Sequence, residues 1–457
     1  MAILPNSPID PFALSSAARL TMSIADAFKT FLDNIKVQNA GTISLRYEEI
    51  TSAINKKFRD TESRHANSLQ VGSYGRWTAI KGISDLDMIY IIPAGKWDDY
   101  KSGGQYRLLK DTADAIATRY PSTTVKVDRL VVRVLYKDFH IEVQPCFELS
   151  NGAFHYPDSY NGGSWKVTKP REEIAAMAAF EVQKNKNLRR LCKMARAWKN
   201  KHGVAMGGLL IDTLAYNFLN QTTEYDGKSY LYYDWMSRDF FKYLADQPKQ
   251  EFYAALGSGQ RVRVKKDFRK KAQRAYELCL SAIEAEKEDY RNDRWRRVYV
   301  RNFPPRPVAL SEEVSVVKSE GFTARNTEQF VDDHYPVDVR YDIELDCEVT
   351  QDGFRPSFLR ALIASRATLQ ASKNLRFFVK QTDVPPPYDL YWKVLNRGRL
   401  AVKRDMVRGQ IFQDSGHQEC VEKTDFKGDH VVECYAVKDG VVVATDRVRV
   451  PISTTRE

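Results

Sequence analysis

The sequence predicts an α+β unit over residues 1–304 followed by a predominantly β, sandwich-like domain over residues 328–457. Three observations predict it. At 457 residues the chain is too long for one ordinary core, since domains of roughly 150 residues are the norm. Hydrophobic periodicity mixes helical steps and short strand runs before residue 304 and turns to alternating, strand-like runs beyond it. Between the two textures, FPPRP at 303–307 breaks any helix and a polar, aperiodic stretch continues to Thr327. The expected division is a strand-and-helix core over 1–170, a helical lobe over 171–304, a linker over 305–327 and the β domain over 328–457.

Taken in order, Leu20, Ile24, Phe28, Phe31, Leu32 and Ile35 recur at three- and four-residue steps and predict an amphipathic helix from about Ser15 to Val37. A second helix is expected from Ser44 to Arg59. GSYGRWTAIKGISDLDMIYIIP then reads as a glycine-punctuated turn feeding an apolar strand. Helical spacing returns over Tyr106 to Tyr120. VKVDRLVVRVLY and FHIEVQPCFEL follow as a β-hairpin about Lys137-Asp138. Helices are expected over 171–220 and again over 267–297, LRRLCKMARAWKNK having an apolar and a basic face. Past the linker, VRYDIELDCEVTQ, LRFFVKQTDV, DLYWKVLNRG, DHVVECYAV and VVVATDRVRVPI are short strands separated by turn signals such as KDG.

Composition narrows the setting. Hydrophobic residues make up 43% and charged residues 28%, which excludes disordered and fibrous classes. Seventy Lys and Arg against 59 acidic residues leave a net charge of +11, a bias towards anionic partners such as nucleotide phosphate. The six cysteines form no CxxC pair and several fall in apolar periodic segments, which fits free thiols in a reducing cytoplasm. No apolar run approaches a membrane span, and MAILPNSPIDPF lacks the layout of an export signal, so a cytoplasmic protein without a membrane partner is expected.

The chemistry concentrates around one strand. Asp85 and Asp87 stand two apart at the start of the apolar run MIYIIP, so in a strand both project from one face. Crowded carboxylates are costly without cations, and hard oxygen ligands suit Mg²⁺, with Mn²⁺ as a substitute. Glu142 in FHIEVQP is the candidate third carboxylate, sharing a strand face with His140 and Gln144; its charge in so apolar a run calls for a partner. Three such carboxylates suit a two-metal site for triphosphate chemistry. Gly72-Ser73, a dozen residues upstream of the acidic pair, supply a close backbone approach, a hydroxyl and N–H groups suited to phosphate oxygens.

With these residues in place, GSYGRWTAIKGISDLDMIYIIP resembles the signature of the polymerase-β-like nucleotidyltransferases, and especially the bacterial CD-NTase or SMODS branch, relatives of cyclic GMP-AMP synthase and oligoadenylate synthase. GGSWKVTKP, LCKMARAWKN, GSGQRVRVKKDFRKKAQRAY and RWRRVYVRNFP extend the resemblance over residues 15 to 304. It implies a nucleotidyltransferase catalytic core with a helical nucleotide-binding lobe, metal ligands at Asp85, Asp87 and Glu142, and triphosphate binding at Gly72 and Ser73. Many members place Asp at the third position, so Glu142 is a departure. Lys193, Arg196 and Lys199 follow one another at three-residue steps, and the family's helix points basic residues at the triphosphate, which matches Lys193 and Arg196; a solvated basic face is the alternative. Tyr216 loosely matches a position where relatives stack a base, with core packing as the alternative, and Trp198 reads as core.

The C-terminal region resembles the AGS-C domain through DCEVTQDGF, YDLYWKVLNRG, RGQI, GDHVVECYAVKDG and TDRVRVPI. That resemblance implies a sensor of a nucleotide or related cue; a brace for the enzyme is the alternative. Arg397, Arg408 and Gln410 are the first candidates for a ligand pocket there. Together the two resemblances imply a Mg²⁺-dependent synthase that makes cyclic di- or trinucleotides from nucleoside triphosphates, ATP and GTP foremost, in antiphage signalling of the CBASS type. The product would act on a separate effector protein, with no nucleic acid required. An RNA-terminal nucleotidyltransferase keeps the same chemistry with another acceptor, and a catalytically silent nucleotide sensor is the third reading.

Overall fold

The computed structural model describes residues 22–82, 85–137, 139–285, 288–305, 328–350, 356–365, 369, 372–396, 399–404, 406–424 and 428–452. Leu20, Asp138, Arg397 and all of the expected linker except Pro305 lie outside them.

Helix α1 (Ile24–Asn34) starts where the Ser23 hydroxyl accepts the Asp26 N–H. Its apolar stripe turns away from the strands: Phe28 and Phe31 pack edge-on or tilted against Trp295, Tyr299 and Phe303 near the far end of the helical lobe. The first helix was expected with the 1–170 core, and the structure puts it in the lobe's core instead, because the aromatic partners of its stripe lie there. Each such buried ring stabilises that junction by roughly 1.5–3 kcal/mol. Helix α2 (Ala40–Arg59) does cover the sheet, burying Ile43, Ile50 and Ile54.

The central sheet is built from β1 (Ser68–Gln70), the one-turn helix α3 (Gly72–Gly75), β2 (Asp85–Ile91), the short helix α4 (Trp97–Tyr100), α5 (Gln105–Arg119), β3 (Thr124–Val127), β4 (Val132–Leu135), β5 (His140–Glu148), β6 (Phe154–Asp158) and β7 (Ser164–Thr168). Strand order is β1-β2-β5-β4-β3, with β6 and β7 continuing from β5. β2 and β5 run parallel, and every other pairing in the sheet is antiparallel. VKVDRLVVRVLY is two strands where one was expected. Asp128 N–H donates to the Val131 carbonyl at 2.9 Å and closes a turn there, so the expected hairpin is the second half of a three-strand meander.

Helices α6 (Pro170–Gln183), α7 (Asn187–His202), α8 (Gly208–Asn220), α9 (Tyr233–Ala245), α10 (Arg269–Ile283) and α11 (Glu288–Val298) form the second lobe, with a small hairpin of β8 (Phe252–Ala254) and β9 (Arg261–Arg263). α9 and this hairpin fall between the two expected helical stretches. Trp198 is fully buried here, as expected.

The C-terminal region is a sandwich of two four-stranded antiparallel sheets. One has the order β11 (Ser357–Phe358), β10 (Ile343–Thr350), β12 (Asn374–Thr382), β15 (Glu419–Lys423); the other β14 (Arg408–Gln413), β13 (Asp389–Leu395), β16 (Gly428–Lys438), β17 (Val441–Ile452). Their facing side chains share one core around Trp392, whose indole N–H donates to Asp414. All six cysteines are buried free thiols. Among the described residues no helix is long and apolar enough to cross a membrane.

The segment Pro336–Tyr341 joins the two halves. It rides along β17, with Asp338 N–H donating to Val442 O at 3.0 Å and Arg340 N–H to Val443 O at 2.8 Å. On its other side α7 holds it: Asn200 donates to Val337 O at 2.8 Å, and Lys199 Nζ reaches Asp338 Oδ1 at 2.6 Å and Val339 O at 3.0 Å.

Candidate active site

On β2 the alternation of the pleat sends Leu86 and Met88 into the core and leaves Asp85 and Asp87 on the opposite face. The parallel register sets Asp85 beside His140 and Asp87 beside Glu142. One carboxylate oxygen from each of Asp85, Asp87 and Glu142 lies within 4.8 Å of the others. Glu142 therefore joins the acidic pair as the spacing anticipated, and His140 and Gln144 line the same cavity.

Gly72 closes on this cluster. Its φ of 62° is left-handed, and a Cβ there would collide with the Asp87 carboxylate, so the chain passes this close only as glycine. The position is fixed by Val71 N–H donating to Asp87 O at 2.9 Å. Thr78 and Ala79 N–H both donate to Ser73 O, at 2.8 and 3.1 Å.

The cluster is electrostatically unfinished. Burial, and then the neighbouring charges of Asp85 and Glu142, raise the Asp87 carboxyl well above the usual range. Glu142 goes the other way: burial opposes its ionisation, but the His140 hydrogen bond and the charges of Arg340 and Arg133 pull it down to about 2. His140 Nε2 lies 3.3 Å from Glu142 Oε1, and Arg133 Nε 3.5 Å from the same oxygen. An all-oxygen set with one member strained by like charge fits a hard divalent cation, which would relieve the repulsion that raises Asp87.

Around the acids opens a cleft of about 640 Å³, within the range of small-molecule sites. Gly72, Ser73, Arg76, Arg196, Lys199 and Lys265 line it, together with Asp338 and Arg340 from the C-terminal side. Two family models match the chain: the Second Messenger Oligonucleotide or Dinucleotide Synthetase (SMODS) domain over residues 22–180, and the Adenylyl/Guanylyl and SMODS C-terminal sensor (AGS_C) domain over residues 325–453. The chain is a SMODS nucleotidyltransferase with an AGS_C domain. No curated protein matches it.

Among solved structures, the SMODS enzyme is similar to the CdnC:HORMA-deltaN complex of E. coli MS115-1, with a TM-score of 0.48 and 15% identity over 61% of this chain and 98% of that one. It is similar also to the STING-associated CdnE c-di-GMP synthase of Capnocytophaga granulosa (TM-score 0.45, 13% identity, 58% and 88% covered). Apo DncV of Vibrio cholerae is a third (TM-score 0.44, 14% identity, 62% and 86% covered). At these scores the likenesses bear on neither activity nor substrate.

The basic helix of the SMODS enzyme is only partly as expected. Arg196 and Lys199 line the cleft, but Lys193 does not. Lys193 and Lys199 are six residues apart, roughly 240° around a helix, so one face cannot carry both. Lys193 is instead half-buried near Glu181, and its burial lowers its pKa. Tyr216 also lies outside the cleft's lining: its ring packs 4.3 Å from that of Phe180 against the helical core. Arg196 is buried, donating to Asp212 Oδ1 at 2.5 Å and to Gly208 O at 3.1 Å. Of the sandwich candidates, Arg408 forms a two-pronged pair with Glu422 and Gln410 is exposed.

Asp212 is the residue that sequence reasoning missed. Fully buried on α8, it accepts from Arg196, from Arg76 Nε at 2.8 Å and from Thr78 Oγ1 at 3.1 Å, tying the loop after Ser73 to the helical lobe. Burial opposes its charge, but the two arginines pull its pKa down to about 2. A single acid inside the apolar run GLLIDTLAYNFL was the available signal.

Proposed function

We propose that this SMODS enzyme joins nucleoside triphosphates, ATP and GTP foremost, into a cyclic di- or trinucleotide, with Mg²⁺ or Mn²⁺ held by Asp85, Asp87 and Glu142. The observation that carries the reading is the convergence of those three carboxylates beside Gly72-Ser73 in one cleft. The bound cations would activate the attacking hydroxyl and offset charge on the leaving pyrophosphate. The glycine turn lets a triphosphate approach the main chain. Arg196 and Lys199 make that wall of the cleft basic, and Asp212 holds Arg196 and Arg76 in place. An acceptor supplied by a second nucleotide needs no template, and the product would serve a CBASS-type antiphage response through a separate effector.

The test incubates the full chain with labelled ATP, GTP, CTP and UTP, with Mg²⁺ and then Mn²⁺, without RNA, and follows the products by mass spectrometry. Phosphatase-resistant small products are expected. Incorporation only when an RNA end is supplied would establish the RNA-terminal reading in its place, and triphosphate binding without turnover would establish the silent sensor.

A further inference from the structure

The metal cluster borrows its nearest cation from the other end of the chain. Arg340, on the segment that leads into the β sandwich, places Nη2 2.5 Å from Asp85 Oδ2 and Nη1 3.8 Å from Glu142 Oε1. Its Nε donates to Asp338 Oδ2 at 2.5 Å, and Asp338 in turn pairs with Lys199 of α7. The guanidinium is thus aimed at the acids by a carboxylate anchored to the helical lobe. Asp85, Asp87 and Glu142 would hold a divalent ion through their carboxylate oxygens. Arg340 already holds Asp85 in a direct ion pair and stands beside Glu142. Arginine and ion therefore draw on the same two carboxylates, and the charge of the guanidinium opposes a second cation there.

The segment is joined to the sandwich and not to the catalytic sheet by its backbone. Its N–H groups donate to Val442 and Val443 on β17. The same sheet grips the cleft a second time: Asp439, in the β16–β17 turn, pairs with Arg133, whose own strand position is opposite Glu142. Lys266 of the helical lobe pairs with Asp342 just beyond the segment. Because α7 and Lys265 hold the segment from the other side, withdrawing Arg340 requires the sandwich to move against the helical lobe as well as the sheet, parting the Lys199–Asp338 pair.

We propose that Arg340 is an autoinhibitory latch: the AGS_C domain inserts it into the acidic cluster, excluding the divalent cation until a movement of that domain withdraws it. The proposal rests on the metal-site reading above and adds the control of that site. The latch makes the AGS_C domain act at the catalytic metals directly, with no relay through intermediate elements.

The test measures Mn²⁺ binding to the full chain without nucleotide, by electron paramagnetic resonance of free Mn²⁺, for the parent protein, Arg340→Gln, Asp338→Asn and Asp87→Asn, with melting temperatures to establish that each is folded. If the latch is closed about nine-tenths of the time, the apparent Kd of the parent is about tenfold weaker than that of an unlatched protein. Arg340→Gln should therefore bind Mn²⁺ about tenfold or more tightly than the parent, and Asp338→Asn should fall between them. Unchanged or weaker binding in a folded Arg340→Gln, while Asp87→Asn loses binding, overturns the latch and leaves the metal site standing. Binding that Asp87→Asn does not alter overturns the metal site itself. Where the glutamine variant does not fold, Asp338→Asn carries the same decision: tighter binding supports the latch and unchanged binding overturns it.

Discussion

Two clusters of charge contribute side chains to the cleft, and they are completed in different ways. Asp212 is satisfied from within its own neighbourhood, by Arg76, Arg196 and Thr78, and its carboxyl is held low. The acidic triad is not: Glu142 has His140 and Arg133 beside it and is held low, but Asp87 is held high by burial and its acidic neighbours, and Asp85 pairs with Arg340 across a domain junction. A complete cluster is architecture, because removing any member leaves a buried charge exposed to its own desolvation cost. An incomplete one is a place where something else can bind, and strain in the ground state is what a ligand relieves.

Breaking the incomplete cluster should have the largest effect on chemistry and little on folding. Asp87→Ala should lower nucleotide incorporation by about 10³-fold or more while the melting temperature holds or rises, since the substitution removes both a ligand and a repulsion. A drop in melting temperature alongside the activity loss would mean that the two clusters are alike after all. Glu142 sharpens the point by chemistry. Glu142→Gln should be as inactive as Asp87→Ala, whereas Glu142→Asp should keep measurable turnover because a carboxylate remains. Initial rates at saturating Mg²⁺ separate the two.

Breaking the complete cluster should show in stability. Asp212→Ala should cost about 3–5 kcal/mol in urea unfolding, because Arg196 would be left buried without its acid and Arg76 with Glu173 alone. The pH dependence follows with opposite signs at the two sites. The folded pKa of Asp212 is depressed, so its stabilisation is fully present above roughly pH 3.9 and is lost as the pH falls through about 2. Asp87 is raised, so in metal-free protein its burial opposes folding at high pH, and that cost is relieved as the pH falls from its folded pKa towards the ordinary value of roughly 3.9. Asp87→Asn should therefore be more stable than the parent at pH 7, with the gap closing as the pH falls. The smallest effect is reserved for Lys193→Ala. With the side chain outside the cleft's lining, KM for ATP and GTP should change by less than about twofold, whereas a lost triphosphate contact would raise it by roughly one to two orders of magnitude.

What the sequence made legible was whatever depends on local periodicity. Asp85, Asp87 and Glu142 were readable because strand alternation dictates which side chains share a face, and the parallel register then brought the two strands together as anticipated. The sandwich was readable from its alternating runs and turn signals. The packing of helix α1 against the helical lobe was not readable, because periodicity reveals a buried stripe but not its partner, and here the partners are aromatic residues some 270 positions away. Lys193 and Tyr216 stand outside the cleft's lining, a placement that spacing and family resemblance do not fix because neither sets a helix's rotation about its axis. Arg340 had no local signal: it was read as the start of the strand run VRYDIELDCEVTQ, which begins only at Ile343, and only the docking of two distant regions gives its guanidinium a role.

Gly72 ties the fate of two parts together. Because its missing Cβ is the space into which the Asp87 carboxylate fits, the glycine turn and the acidic strand behave as a single unit of inheritance. The other walls of the cleft can change without touching this contact. A lineage has no route to a different residue at position 72 that keeps both this turn and this aspartate, so drift at that one backbone position would retire the enzyme while every acidic residue still stood in the gene.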